Sequence, residues 1–290
     1  MMITHWMQIV AALGASVLLV TLVGCGQADA PGDGELVLDT GGDERVTARL
    51  LPDTRVIVPG AGMHIGVLLE IKSGWHVYWT NPGESGQPTT VDVVLPEGFE
   101  KRPTLYPVPK YFEDAGGISG NGYENQVLLL VPVVAARDID STAIDIEAKV
   151  SWLVCKDVCI PGEVTLTGSI PVASEKAGAN MAVYRKWMPQ VPTDRFPAGV
   201  TIDTADANTT GITLDWAEHV SNVELFTEED PAISVESAAV DHEGMRTRLT
   251  VVLKRYAGQE PRDGEFDLTL AYDNASGERR GGRLSIVVPD

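Results

Sequence analysis

The stretch "AIDIEAKVSWLVCKDVCIPGEVTLTGSIPV", residues 143–172, decides the fold. Its first twelve residues alternate apolar with polar positions, the pattern of a strand with one buried face, and "EVTLTGSIPV" from residue 163 resumes it. Between the two runs lie Cys155 and Cys159, two of the three cysteines in the chain, only four positions apart. Along one continuous strand at about 3.4 Å per residue they would stand roughly 13–14 Å apart, about twice the Cα separation a disulfide spans. The chain must therefore turn if the sulfurs are to join. "KDV" is polar enough for a short loop, and a three-residue loop would set the cysteines opposite one another across a hairpin, at about 4.5–5.5 Å. A helical turn would also bring them near, but Val154, Val158, Ile160 and Pro161 favour strand.

The same alternation runs outward from this hairpin. Met63, Ile65, Val67, Leu69 and Ile71 fall on one face of a strand, and His64, Gly66, Leu68 and Glu70 on the other. "TTVDVVL" (89–95) and "QVLLLVPVV" (126–134) follow, each bounded by turn-forming residues, as in an all-β sandwich rather than in alternating βα units. Helical periodicity is confined to "SEKAGANMAVYRKWMPQ" (174–190), where Met181, Tyr184, Trp187 and Met188 fall on one side before a proline stops it. "QVPTDRFPAG" then reads as a boundary. Beyond it "GVTID", "GITLDW", "NVELFT", "RLTVVLKR", "FDLTLAY" and "RLSIVV" repeat the sandwich pattern. The prediction is a mainly β chain, two β-sandwich domains in tandem at residues 46–175 and 198–290, with one short helix and linker between them at 176–197.

The N-terminus follows another logic. Residues 1–24 hold no Asp, Glu, Lys or Arg and are nearly all apolar from Ile9, as in the apolar region of a signal peptide. The run ends in "LVGC", which resembles a bacterial lipobox and makes Cys25 the candidate for lipidation; an ordinary cleaved signal and an uncleaved anchor are the alternatives. Residues 25–45, rich in Gly, Ala, Asp and Pro, read as a flexible tether. Each reading puts the rest of the chain outside the cytoplasm, on the periplasmic side of a bacterial envelope, where disulfides persist. A net charge of −19 without a basic patch excludes nucleic acid as a partner, since nothing is available to displace counterions from phosphates.

Magnitude helps to assign the cysteine pair a purpose. Closing a five-residue ring stabilises a fold by about 2 kcal/mol in the chain-entropy view, little for a staple. A small exposed ring exchanges more readily than a buried structural bond, as a redox-active pair must. A structural clasp and a metal site are the competing readings; zinc needs further ligands, and His64, His76, His219 and His242 show no ligand spacing. No metal and no cofactor are expected.

"WLVCKDVCIPGE" resembles the active-site strand of the N-terminal periplasmic domain of DsbD and ScsB type thiol:disulfide interchange proteins, and "GWHVYWTNPGESGQPTTVDVVLPEGF" (74–99) and "GYENQVLLLVPV" (122–133) are similar to the same family. The resemblance covers about residues 46–175. It implies an immunoglobulin-like sandwich that takes reducing equivalents from a membrane-embedded or thioredoxin-like electron donor and passes them to oxidised extracytoplasmic proteins. It further implies that Cys159 forms the mixed disulfides and Cys155 resolves them. Three residues part the cysteines here, where best-known members have five. With no multi-span segment and no C-x-x-C domain in this sequence, the donor is expected on another chain, and contact with the membrane through a lipid anchor only. The rival reading is a non-catalytic, lipid-anchored interaction or assembly protein with an inert clasp.

The same resemblance implies a cap over the cysteines, at "YFEDAGGISGNGYE" (111–124), with Phe112 the first candidate and Tyr111 and Tyr123 the next. Gly116, Gly117, Gly120 and Gly122 would make that loop mobile; alternatively its aromatics plug the sandwich edge. Lys156 would favour a thiolate and Asp157 oppose it, unless both are simply solvated turn residues. Trp75, Trp79 and Trp152 read as packing. "GESGQ" lacks the final glycine of a nucleophile elbow, and "GAGMHIG" starts a strand where a dinucleotide fingerprint demands a helix.

Overall fold

Period-two alternation in the sequence becomes two-faced strands in the computed structural model, which describes residues 34–290 except 115–116, 205–207, 229, 231, 257–264 and 288–290. The signal segment 1–24 and the lipidation candidate Cys25 lie outside the described residues, as do residues 26–33 of the expected tether; its remainder is not all loose, since Asp39–Gly42 form a strand paired along Thr47–Leu50. The first sandwich opens with β1 (Asp39–Gly42), β2 (Val46–Pro52), β3 (Gly62–Ile71), β4 (His76–Gly83), β5 (Thr90–Val94) and β6 (Glu100–Lys101). It continues through β7 (Lys110–Asp114), β8 (Ile118–Glu124), β9 (Gln126–Val134), β10 (Ala143–Cys155) and β11 (Cys159–Pro171). One sheet runs β1-β2-β3-β9-β6; the other runs β11-β10-β4-β8-β7, with β5 also paired to β10. Their inward faces meet in one core that includes Val46, Leu50, Ile65, Val67, Leu129, Val77, Val150 and Val154.

The β10–β11 hairpin shows how the core fixes the site. Its ladder is unbroken from Ala143 opposite Pro171 to Cys155 opposite Cys159. Ile144, Ile146, Ala148, Val150, Trp152 and Val154 are buried, while the residues between them face away from the core. A register slip of one residue would turn this whole set to the other face, so core burial dictates which residues meet at the hairpin tip.

Helix α1 (Met181–Trp187), followed by a 3-10 turn at Met188–Gln190, is shorter than the 174–190 run suggested by periodicity. Asn180 is the reason. It sits at φ 55°, which ends helical geometry there, and its side-chain amide donates to the carbonyls of Leu36 and Pro52 while its oxygen accepts from Leu36 N–H. The face carrying Tyr184 and Trp187 is buried, and the Tyr184 hydroxyl donates to Leu51 O at 2.8 Å. Gly66, on the face of β3 that the sequence pattern turned away from the core, makes room for it: a Cβ there would stand 2.7 Å from the Tyr184 oxygen.

The second sandwich comprises β12 (Ala198–Thr204), β13 (Thr209–Trp216), β14 (Ser221–Thr227), β15 (Ile233–Glu243), β16 (Arg246–Arg255), β17 (Glu265–Asp273) and β18 (Arg279–Val287). Sheets β12-β13-β16-β15 and β14-β17-β18 enclose their own core, with Leu214, Trp216, Val251, Leu268 and Ile286 among its members. The connecting segment is held rather than loose: Thr193 bridges to Gly282, Arg283 N–H donates to Thr193 O, and the Phe196 ring lies on Gly282. Between the sandwiches, Trp79 meets Phe226 edge to face at 6.0 Å, and the Asn81 amide donates to Thr227 O at 2.8 Å.

Candidate functional site

The three-residue loop Lys156–Val158 returns the chain so tightly that Cys155 and Cys159 end directly opposite, with Cα atoms 4.2 Å apart and the sulfurs bonded. The two sulfurs live in different surroundings. Cys155 is 1% exposed, whereas Cys159 is exposed at the start of β11. Val158, at the loop tip beside Cys159, is 60% exposed. Lys156 and Asp157 are exposed, as turn residues are, and a Cβ at Gly74 would lie 3.8 Å from the Lys156 ammonium, so that side chain extends along the turn before β4.

Register decides what else shares the cysteine face. Val154 pairs with Val77 and both enter the core; the next pair, Cys155 with His76, therefore points away from it. On the far side of β4, His76 pairs with Glu124 and Tyr78 with Gly122, and on the edge strand Phe112 pairs with Gly120. Cys159, Cys155, His76 and Glu124 thus form one row across four adjacent strands, with Phe112 and Tyr78 on the same face.

Phe112 lies back across that face. Its ring centroid is 3.9 Å from that of His76 and 5.7 Å from that of Tyr78, while His76 and Tyr78 meet edge to face at 5.2 Å. Glycine makes this possible. A Cβ at Gly120 would stand 2.5 Å from the Phe112 ring, and one at Gly122 would stand 2.0 Å from Val77 O. These two glycines belong to β8 and provide clearance, where the sequence reading took them for loop mobility; Gly116 lies outside the described residues.

Of the three aromatic candidates for a cap, only Phe112 shares the cysteine face. Tyr123 opposes Val77 on the core side, is buried, and donates to Pro107 O at 2.6 Å; burial pushes its phenol well above the usual range. Tyr111 alternates to the opposite face from Phe112, is 57% exposed, and borders a cavity of about 730 Å³ between β7, β8, α1 and β14. Trp79 and Trp152 are buried in the core and Trp75 packs on it beneath the Arg45 guanidinium. His76, weighed in the sequence only as a zinc ligand, is the neighbour of Cys155 that sequence reasoning missed. Its signal was the alternation of "WHVYW", which puts His76 and Tyr78 on one face and Trp75, Val77 and Trp79 on the other. Among the described residues no group of three or more His, Cys, Asp or Glu is arranged to hold a metal ion, and no helix is long and apolar enough to cross a membrane.

Comparison with known proteins agrees with this geometry. No curated protein matches the chain. The solved N-terminal periplasmic domain of ScsB from Proteus mirabilis superposes with a TM-score of 0.62 at 17% identity, covering 88% of this chain and 100% of that one. That likeness is of fold, and it reaches into the second sandwich. The YadV chaperone covers 82% of this chain and 99% of its own at 7% identity with a TM-score of 0.21, too low to carry any argument. The family model described as "Thiol:disulfide interchange protein DsbD, N-terminal" matches residues 47–170, the segment that runs from β2 to β11 and holds the Cys155–Cys159 hairpin. Residues 47–170 of this chain are thus similar in sequence to the N-terminal domain of DsbD thiol:disulfide interchange proteins.

Proposed function

We propose that the first sandwich is an extracytoplasmic thiol:disulfide exchange module that works through Cys155 and Cys159. The observation that carries this reading is the asymmetry of the bond: one sulfur is buried on the sheet face and the other is exposed at a hairpin tip. Only Cys159 is open to a visiting sulfur, and exchange depends on access as well as on ionisation. In the dithiol form, the Cys159 thiolate attacks one sulfur of an oxidised protein's disulfide; that bond breaks, its other sulfur leaves as a thiolate, and a Cys159–partner disulfide forms. Cys155 then attacks Cys159 Sγ, the intramolecular disulfide re-forms, and the partner departs as a dithiol carrying two electrons. A thiol donor, membrane-embedded or thioredoxin-like, restores the pair by the reverse sequence. Phe112, stacked on His76, serves as the cap that a docking partner displaces.

Lipidation at Cys25 and a tether would hold the module on the periplasmic side of the membrane. Labelling with a radioactive fatty acid, lost in Cys25→Ala, tests that part.

Trapping tests the exchange reading. Cys155→Ala should accumulate mixed disulfides through Cys159, and Cys159→Ala should accumulate none. A reduction potential below about −300 mV, or no mixed disulfide in Cys155→Ala, would leave the inert clasp of a lipid-anchored interaction protein as the surviving function.

A further inference from the structure

The exchange reading leaves one problem, and the row across the sheet answers it. Cys155 must ionise to close the ring, yet it is 1% exposed, and a thiol withdrawn from water is harder to ionise. His76 is its direct partner across the β10–β4 ladder, and Glu124 is the direct partner of His76 across β4–β8. Side chains so opposed share a face with Cβ atoms about 4.5–5.5 Å apart, close enough for proton exchange between a thiol and an imidazole. His76 is 6% exposed and its ring is fixed from two sides, by Phe112 at 3.9 Å and by Tyr78 at 5.2 Å.

We propose that His76 is the proton acceptor for Cys155, and that Glu124 is a positioning residue that orients and charges the imidazole. The inference rests on the exchange reading above. Thiol, imidazole and carboxylate in series are the arrangement by which an adjacent base activates a nucleophile and a third group orients the base. The steps balance. His76 takes the proton of Cys155; the resulting thiolate attacks Cys159 Sγ in the mixed disulfide; the Cys159–partner bond breaks, and the partner sulfur leaves with the electron pair. In the reducing direction the imidazolium returns its proton to the Cys155 thiolate as a donor's sulfur opens the ring. The titratable groups that face His76 are Cys155 from β10, Glu124 from β8 and Tyr78 on its own strand; Lys110 from β7, opposite Gly122, and Lys156 in the hairpin loop are the nearby cations.

The two chemical steps can be watched separately. Reduced protein mixed with dithiobis(nitrobenzoate) releases one thionitrobenzoate as Cys159 is loaded and a second as Cys155 closes the ring. With His76→Gln the first release should keep its rate, while the second should slow by roughly 10²-fold near neutral pH, a typical contribution of general-base catalysis. In the wild type the second phase should rise with pH as His76 loses its proton, and in His76→Gln only at higher pH, where the buried thiol ionises unaided. Glu124→Gln, on the exposed end of the row, removes a negative charge that favours imidazolium, so the inflection of the second phase should move to lower pH and that phase should slow. Should His76→Gln leave the rate and the pH profile of the second phase unchanged, or should Glu124→Gln leave the inflection in place, the relay is wrong while the exchange function stands. Should the wild type itself show no second release, both readings fall together.

Discussion

Gly120 offers a way to open the site without touching a sulfur. A Cβ added there would stand 2.5 and 2.7 Å from Cε2 and Cζ of Phe112, closer than real Cβ contacts allow. What must yield is the far end of a side chain on an edge strand, so Gly120→Ala should push the ring off His76 and leave the sheet intact. An aromatic contact of this kind is worth about 0.5–1.5 kcal/mol, and losing it should favour the uncapped state by roughly 2- to 12-fold. Reduction of the Cys155–Cys159 disulfide by excess dithiothreitol, followed by alkylation of the freed thiols, should accelerate by that factor; Phe112→Ala should do the same. Gly122→Ala is the control that separates cap from sheet. Its Cβ would stand 2.0 Å from Val77 O, part of the backbone, so β4 and β8 must part, at an overpacking cost of about 1–3 kcal/mol, readable as a lower Tm. If Gly120→Ala and Phe112→Ala both fold normally and are reduced at the wild-type rate, the ring does not gate the disulfide and the reasoning fails.

Val158, 60% exposed at the hairpin tip, should meet the partner: Val158→Asp should slow exchange with a protein disulfide by up to about tenfold, the worth of one covered valine, and leave exchange with a small disulfide alone. Burial pushes the phenols of Tyr123 and Tyr184 well above their ordinary range, so the folded state keeps protons that the unfolded chain loses. Stability is therefore fully present below the unfolded value of about pH 10 and should fall as pH rises beyond it; in chemical denaturation Tyr184→Phe should flatten that fall while costing about 1 kcal/mol at neutral pH through the lost bond to Leu51 O. Phe226, on β14 of the second sandwich, is buried against Trp79 of the first. Phe226→Ala should cost about 3–5 kcal/mol and split a single melting transition into two, followed by Trp fluorescence; one unsplit transition at the wild-type Tm would show that the contact does not couple the sandwiches.

What could be read from the sequence was local. The hairpin was legible because alternation on both sides of "KDV" and the spacing of Cys155 and Cys159 lie within one ladder, where register follows from a short loop. The helix was overextended because periodicity says nothing of Asn180, whose left-handed backbone is held by partners as remote as Leu36 and Pro52. Gly120 and Gly122 were misread for a related reason: a glycine needed for clearance and one needed for freedom look alike until the neighbour that would collide is known.

The row through His76 is a stricter case. Among the described residues β4 and β10 share two ladder pairs, Val154 with Val77 and Cys155 with His76, and the partners are far apart in sequence. Nothing in the composition of either strand announces that meeting. It is nevertheless over-determined in the folded chain, because Val154 and Val77 must both enter the core, and a shift of one residue in either strand would turn them out and carry His76 away from Cys155. The packing that stabilises the sandwich is therefore the same constraint that brings imidazole beside thiol. A chemical neighbour fixed by two valines in the core cannot drift without unfolding the sheet. Substituting His76 accordingly tests chemistry, whereas substituting Val77 or Val154 would test only the fold.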